Sequence, residues 1–215
     1  MSGSSLQVEP PALPLGTEQY SRPYQDQLNN VQRLFYNRLT RTVNGVVGEN
    51  GGGNLQFPHA MFMSNQDQAN AGITSENLVT YNVPVIQQAI EVRSGYQIWF
   101  EQTGQYLVTF SLMFTNRGND SQIIEVWAKD SAANYPLSNT RLDIAARKSE
   151  AVWAHAVATI TGIFTVTDPD TDYLAIAWWS DGADVFLESY PEGTSPARPA
   201  IPSVILTANF VSRLP

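Results

Sequence analysis

Hydrophobic and polar positions alternate along residues 105–115, QYLVTFSLMFT. Tyr106, Val108, Phe110, Leu112 and Phe114 share one parity, and Leu107, Thr109, Ser111, Met113 and Thr115 share the other. Side chains alternate across a strand, so the pattern predicts a long β-strand with one strongly apolar face. A helix would scatter those aromatic rings around its circumference. The same reading predicts strands near residues 60–64, 77–83, 89–93, 97–101, 105–116, 123–129, 136–144, 152–159, 173–179, 184–189 and 203–211. Turn chemistry separates them at 117–121 (RGNDS), 168–172 (DPDTD), 181–182 and 191–202. The alanines of 141–158 imitate a helix, but two strands around a turn at 147–150 are the preferred reading. Many short strands with frequent turns predict an all-β sandwich.

The period differs before residue 44. Tyr24, Leu28, Val31, Phe35 and Thr42 recur at helical spacing, with Leu34 and Leu39 alongside. That predicts one amphipathic helix of about five turns. Ser21 is placed to cap it, and Pro23 falls near the first turn, where a missing N–H is tolerated. The helix is too short for a secure coiled coil alone. Its stripe, with Leu28, Val31, Phe35 and Leu39 as contact residues, therefore needs a partner: sister helices, a docking surface or its own domain. Residues 1–22, with Pro10, Pro11, Pro14 and Gly16, predict an extended arm. Residues 44–54, NGVVGENGGGN, predict a flexible linker. The expected division is therefore 1–54, an arm, helix and linker, and 55–215, the β domain.

Charge narrows the class of partner. The chain has 215 residues, 12 Lys+Arg against 20 Asp+Glu, and a net charge of −8. It has no general attraction for nucleic acid or for an anionic membrane. Charged residues make up only 15%, so much of the exterior is neutral, which suits a surface partly covered by a partner. There is no cysteine, hence no disulfide and no thiolate metal site. The start, MSGSSLQVEPPALPLG, lacks the basic and apolar regions of a signal peptide, and no apolar run approaches a membrane span. A soluble product made in a cytoplasm is expected.

Candidate chemistry is sparse. Only His59 and His155 could serve as imidazole bases, they lie far apart, and no Gly-x-Ser-x-Gly elbow exists. Asp168, Asp170 and Asp172 place three carboxylates at alternate positions, a pattern hard cations use. Without the loop glycine and distal glutamate of an EF-hand, a solvated turn is preferred. Asp181, Asp184 and Glu188 could in principle form a glycosidase pair but read more simply as a turn and its exit. The Gly51–Gly53 run lacks the following Lys-Ser or Lys-Thr of a phosphate loop. Trp99, Trp127, Trp153, Trp178 and Trp179 all fall in predicted strands, favouring core or interface roles over sugar stacking. No enzyme, no cofactor and no metal centre is expected.

Local signatures resemble a recurrent module of tailed-bacteriophage virion proteins. They are Phe110-Ser111 with Asn116, Glu125–Asp130 (EVWAKD), Ser138-Asn139-Thr140, Ala151-Val152-Trp153, Asp172–Trp178 (DYLAIAW) and Pro202–Thr207 (PSVILT). In order, they cover about residues 85–212. The DPDTD stretch departs from that pattern, where a Gly-Asp turn is commoner, as does Val126, where Ile is commoner. The module resembles the tumour-necrosis-factor/C1q type of jelly roll, which implies a double sheet assembled as a homotrimer. The N-terminal block resembles, more weakly, the attachment segments of phage decoration proteins and fibres. The resemblance implies a capsid decoration or knob protein located in the virion, bound through its N-terminus to capsid or tail proteins. The alternative is a tail-fibre tip whose loops at 117–121 and 191–200 contact host surface glycans. Strands 105–116 and 173–179 carry apolar groups on both parities, so a second covering surface is expected. A sister subunit is a simple candidate, with Leu107, Met113 and Trp178 at the trimer interface; an internal loop or the arm is the other.

Overall fold

The computed structural model describes residues 21–47, 57–131 and 133–214. The expected arm lies almost wholly outside the described residues, as does the expected linker from residue 48 onward. The chain divides into two compact units, Met1–Gln56 and Phe57–Pro215.

In the first unit, α1 spans Arg22–Val47, 26 residues. It is about seven turns long at 3.6 residues per turn, two more than the spacing of apolar residues suggested. The difference lies at the C-terminal end, where Asn44 and Gly45, read as linker, continue the helix. The Ser21 carbonyl accepts the Gln25 N–H at 3.0 Å, which places Ser21 at the cap position.

Among its described residues the second unit contains sixteen strands. They are β1 (His59–Ser64), β2 (Gln68–Ala69), β3 (Asn77–Leu78), β4 (Val83–Gln88), β5 (Ile90–Arg93), β6 (Gln97–Phe100), β7 (Gly104–Asn116) and β8 (Gln122–Asp130). After them come β9 (Ala133–Asn134), β10 (Thr140–Ile144), β11 (Ala154–Val166), β12 (Tyr173–Ser180), β13 (Val185–Leu187), β14 (Gly193–Thr194), β15 (Ala197–Arg198) and β16 (Val204–Ser212).

One antiparallel sheet runs β4-β1-β16-β7-β11, with β13 and β2 continuing beside the end of β7. The other runs β10-β8-β12-β6-β5, with β3 beside β12 and β9 beside β8. The chain changes sheet between β2 and β3, β3 and β4, β4 and β5, β6 and β7, β7 and β8, β10 and β11, β11 and β12, and β12 and β13, and β14 and β15 pair as a separate ribbon. This is a double-sheet jelly roll, as the resemblance implied.

The core is where the two inner faces meet. The β7 parity read from sequence points inward: Tyr106, Val108, Phe110, Leu112 and Phe114 are all buried. Phe100 packs on Tyr106 with ring centroids 4.4 Å apart and on Phe164 at 5.5 Å. Phe114 meets Trp178 edge-on at 5.4 Å, joining the two sheets. At the start of β7, Gly104 has φ +152°, and an added Cβ would lie 2.5 Å from the Phe210 ring and 2.7 Å from the Ser212 carbonyl. Only glycine fits that close approach.

Several strand expectations need correction: of the expected strand 136–144 only Thr140–Ile144 is strand, and residues 152–153 precede β11. Residues 79–82 are not strand, and β4 begins at Val83. β4 is an edge strand bonded to β1, so Pro84 inside it breaks no necessary ladder bond. β11 continues to Val166, past the expected end at 159, paired along its whole length to β7. Gly162 leaves an empty place in the alternation there, which hides the second half of the strand.

Candidate functional site: an uncharged sheet face and a buried carboxylate

The outward face of the first sheet is set by strand register. Four rows cross it. Ile163, Leu107, Asn209 and His59 stand side by side on β11, β7, β16 and β1. The next row is Thr161, Thr109, Thr207 and Met61, and the next is Thr159, Ser111, Ile205 and Met63. Val157 and Met113 begin the fourth. No Asp, Glu, Lys or Arg stands in these rows. Leu107 is 39% exposed, Ile163 54% and Val157 64%, and Met113 is half-buried.

The hydroxyls on this face are largely satisfied by one another. Thr109 Oγ1 lies 2.9 Å from Thr161 Oγ1, and Ser111 Oγ lies 2.8 Å from Thr159 Oγ1. Such paired hydroxyls lose less on leaving water than free ones do. With half-exposed Leu, Ile, Val and Met between them, the face is suited to being covered.

One end of the face is locked by a buried carboxylate. The Glu188 side chain is 5% exposed. Its Oε2 accepts hydrogen bonds from Thr115 Oγ1 at 2.6 Å and Tyr190 Oη at 2.5 Å, and its Oε1 accepts from Arg117 Nη2 at 3.2 Å. The Arg117 guanidinium lies between the rings of Trp153 and Phe186, at 3.9 and 3.8 Å. Thr115 has one proton and gives it to Glu188, so its oxygen accepts from His155 Nδ1–H at 2.8 Å. The other ring nitrogen, Nε2, lies 3.4 Å from the Tyr190 hydroxyl. The Tyr190 hydroxyl is pushed up to about 12, first by burial and then by Glu188. The chain Glu188–Thr115–His155 orients a base, but it presents no activated nucleophile; it ties β13, β7 and β11 together.

Of the residues expected at a trimer interface, Leu107 and Met113 lie on the uncharged face. Trp178 does not. It points into the sandwich with no exposed surface, against Phe114, and so has nothing to bury against a second copy. The parity of β12 was ambiguous because both sides are apolar or small. Its other side, with Ala175 and Ala177 at 1% and 0% exposure, is roofed within the protomer. Lys129 on β8 reaches across β12 to Glu76 beside β3, at 2.6 Å. The tryptophan expectation is corrected likewise. Only Trp178 is core; Trp99, Trp127 and Trp179 are half-buried on the second sheet's outer face, and Trp153 precedes β11.

On α1, Leu28, Val31, Phe35 and Leu39 are half-buried on one stripe, whereas Leu34, Tyr36 and Val43 are exposed at 52%, 62% and 45%. In DPDTD, Asp172 Oδ2 accepts the N–H groups of Thr167 and Asp168 and the Thr167 hydroxyl, and Asp168 Oδ1 accepts the Asp170 N–H. Burial alone would raise the Asp172 carboxyl, but these hydrogen bonds outweigh it and hold it below its ordinary value. Among the described residues no three acidic or histidine side chains gather as a metal site. His59 Nδ1 is 2.8 Å from the Phe57 carbonyl, and Asp181 Oδ1 accepts the Ile123 N–H at 2.7 Å. The Glu188 carboxylate is taken up by Thr115, Arg117 and Tyr190 rather than by a second acid. The Arg117–Glu188 lock was missed because Arg117 read as loop; the one available signal was an acidic residue inside an apolar strand.

No helix among the described residues is long and apolar enough to cross a membrane. No protein-family model matches the sequence, and no curated protein matches it. Among solved structures, the chain is similar to the crystal structure of murine APRIL at pH 8.0, with 13% identity and a TM-score of 0.44. The match covers 72% of this chain and 98% of that one. The strand order, rather than this likeness, assigns the fold: a two-sheet antiparallel jelly roll following one described N-terminal helix.

Proposed function

We propose that this chain is a non-enzymatic structural protein of a tailed-phage virion, a homotrimeric capsid decoration or knob protein anchored by its N-terminal segment. The observation that carries the trimer is the uncharged outer face of β11, β7, β16 and β1, where Leu107, Met113, Val157 and Ile163 stand among paired hydroxyls. Covering that face removes apolar surface from water and leaves few polar groups unpaired. The virion location is supported by the six ordered signatures between residues 110 and 207. The half-buried stripe of Leu28, Val31, Phe35 and Leu39 supports the anchor. Three arms on one trimer raise the effective concentration at the docking sites, so weak single contacts suffice.

Immunogold labelling of phage particles tests this reading. Label on the heads is expected. Label confined to the tails would overturn the capsid assignment in favour of a fibre tip, and unlabelled particles would overturn the virion assignment.

A further inference from the structure

The second sheet carries an open cavity of about 280 Å³ on its outer side, lined by Glu125, Trp127, Asn134, Tyr135, Ser138 and Asn139, with Leu137 at its rim. That is near the lower end of the range for ligand cavities (~300–1,000 Å³), so it suits one small ring or the end of a chain. One wall is the β8 strand. The other is the segment joining β9 to β10, stapled back onto β8: the Tyr135 N–H donates to the Ala128 carbonyl at 2.9 Å, and Ser138 Oγ accepts the Ala128 N–H at 3.0 Å. The cavity is therefore held open before any ligand arrives. Leu137 adopts φ +60° and is fully exposed. A branched residue in that conformation is strained, and neither burial nor packing accounts for it there.

The polar groups around the indole are of mixed type. Trp127 Nε1 donates to Asn134 Oδ1 at 2.9 Å, which leaves the Asn134 amide N–H groups free. Asn139 Nδ2 donates to Glu125 Oε2 at 3.0 Å, which leaves Asn139 Oδ1 and Glu125 Oε1 as free acceptors. Donors and acceptors thus stand together beside a half-buried aromatic plate. Hydroxyl groups both donate and accept, so a polyol ring can satisfy the whole set. The C–H face of a pyranose is weakly positive and sits on the negative face of an indole. A guanidinium or ammonium head donates only and would leave the Asn134 amide unmatched. An anionic sugar would meet the Glu125 carboxylate and a protein of net charge −8.

We propose that this cavity is a binding site for a neutral saccharide, with Trp127 as stacking platform and Glu125, Asn134 and Asn139 as hydroxyl partners. None of its lining residues belongs to the loops at 117–121 and 191–200 where the sequence suggested glycan contact. It does not depend on the virion or trimer assignment.

The test uses the full chain, ¹⁵N-labelled, titrated with methyl glucoside, methyl galactoside, methyl mannoside and N-acetylglucosamine while the five tryptophan indole N–H signals are followed. At least one sugar is expected to shift the Trp127 signal saturably and leave the buried Trp178 signal in place. The exposed substitution Asn139→Ala is expected to weaken that binding about threefold to tenfold with unchanged thermal stability, the loss of one hydrogen bond. Trp127→Ala is expected to abolish it, and Trp99→Ala to leave it. If none of the four sugars moves the Trp127 signal, if binding persists unchanged in Asn139→Ala and Trp127→Ala, or if arginine amide binds there more tightly than every sugar, the proposal is wrong.

Discussion

Trp178 shows how one side chain can be misplaced by an ambiguous strand. Leu174, Ile176 and Trp178 alternate with Tyr173, Ala175, Ala177 and Trp179, so both parities read as buried. The deciding groups, Lys129 and Glu76, are distant in sequence, and no periodicity reveals that their ion pair spans β12. Trp178 Nε1 is buried without a hydrogen-bond partner. Trp178→Phe therefore loses volume but also removes an orphaned donor, and is expected to cost about 1–2 kcal/mol, against about 3–5 kcal/mol for Trp178→Ala. Neither should change the oligomeric state of molecules that remain folded. Urea denaturation gives the costs; equal costs for the two variants would mean that the ring's packing is not what matters.

The tyrosines set an alkaline limit. Tyr190 is pushed up to about 12 by burial and by Glu188, and Tyr106 to about 12 by burial and by Glu101. In the unfolded chain a tyrosine ionises near 10 (~10), so the unfolded state loses its protons first as pH rises. Their contribution to stability is fully present below about pH 10 and is lost as pH climbs toward about 12. Urea midpoints measured across that window should fall, and Tyr190→Phe should flatten the fall by about one proton's worth. An identical slope in the variant would refute the assignment to Tyr190.

At the scale of elements, alternation made β7 legible in full, because one of its faces is core and the other is mostly Thr, Ser and single aliphatics. Its partner β11 was only half legible, since Gly162 interrupts the apolar parity that Ala158, Ile160, Phe164 and Val166 otherwise continue. The expected strand 77–83 ran past β3 because the connection at 79–82 contains Val79 and Tyr81, both buried, and β4 beyond Val83 was missed. α1 was underestimated because Gly45 reads locally as a helix end. The uncharged face itself could not be read from sequence: it exists only once four strands are placed in register, and their sequence positions run from 59 to 209. The α1 stripe needed no such assembly, since all its members lie on one element. Val31→Ser with Phe35→Ser should leave the thermal transition of the jelly roll unmoved and cut recovery of the protein with sedimented phage particles at least tenfold. Unchanged recovery would show that the stripe is not the docking face.

For the whole molecule, the fold and the trimer rest on different grounds. The jelly roll follows from the strand order of a single chain. The proposed trimer rests on what that chain leaves on its surface: a patterned, uncharged, half-apolar sheet face on a protein whose charge is −8. Like-charged protomers repel, so association must occur where charge is absent. Deleting residues 1–43 should therefore leave a trimer that no longer binds particles, because the proposed anchor and the proposed self-association face are on different units.

The most direct measurement is sedimentation velocity of the full chain over a dilution series, beside Leu107→Asp. The wild type should sediment as a trimer down to the lowest concentration, and Leu107→Asp, which introduces a charge at a 39%-exposed position, as a folded monomer with an unchanged circular dichroism spectrum. A wild-type chain that sediments as a well-folded monomer throughout the series would contradict the assembly through the β11-β7-β16-β1 face.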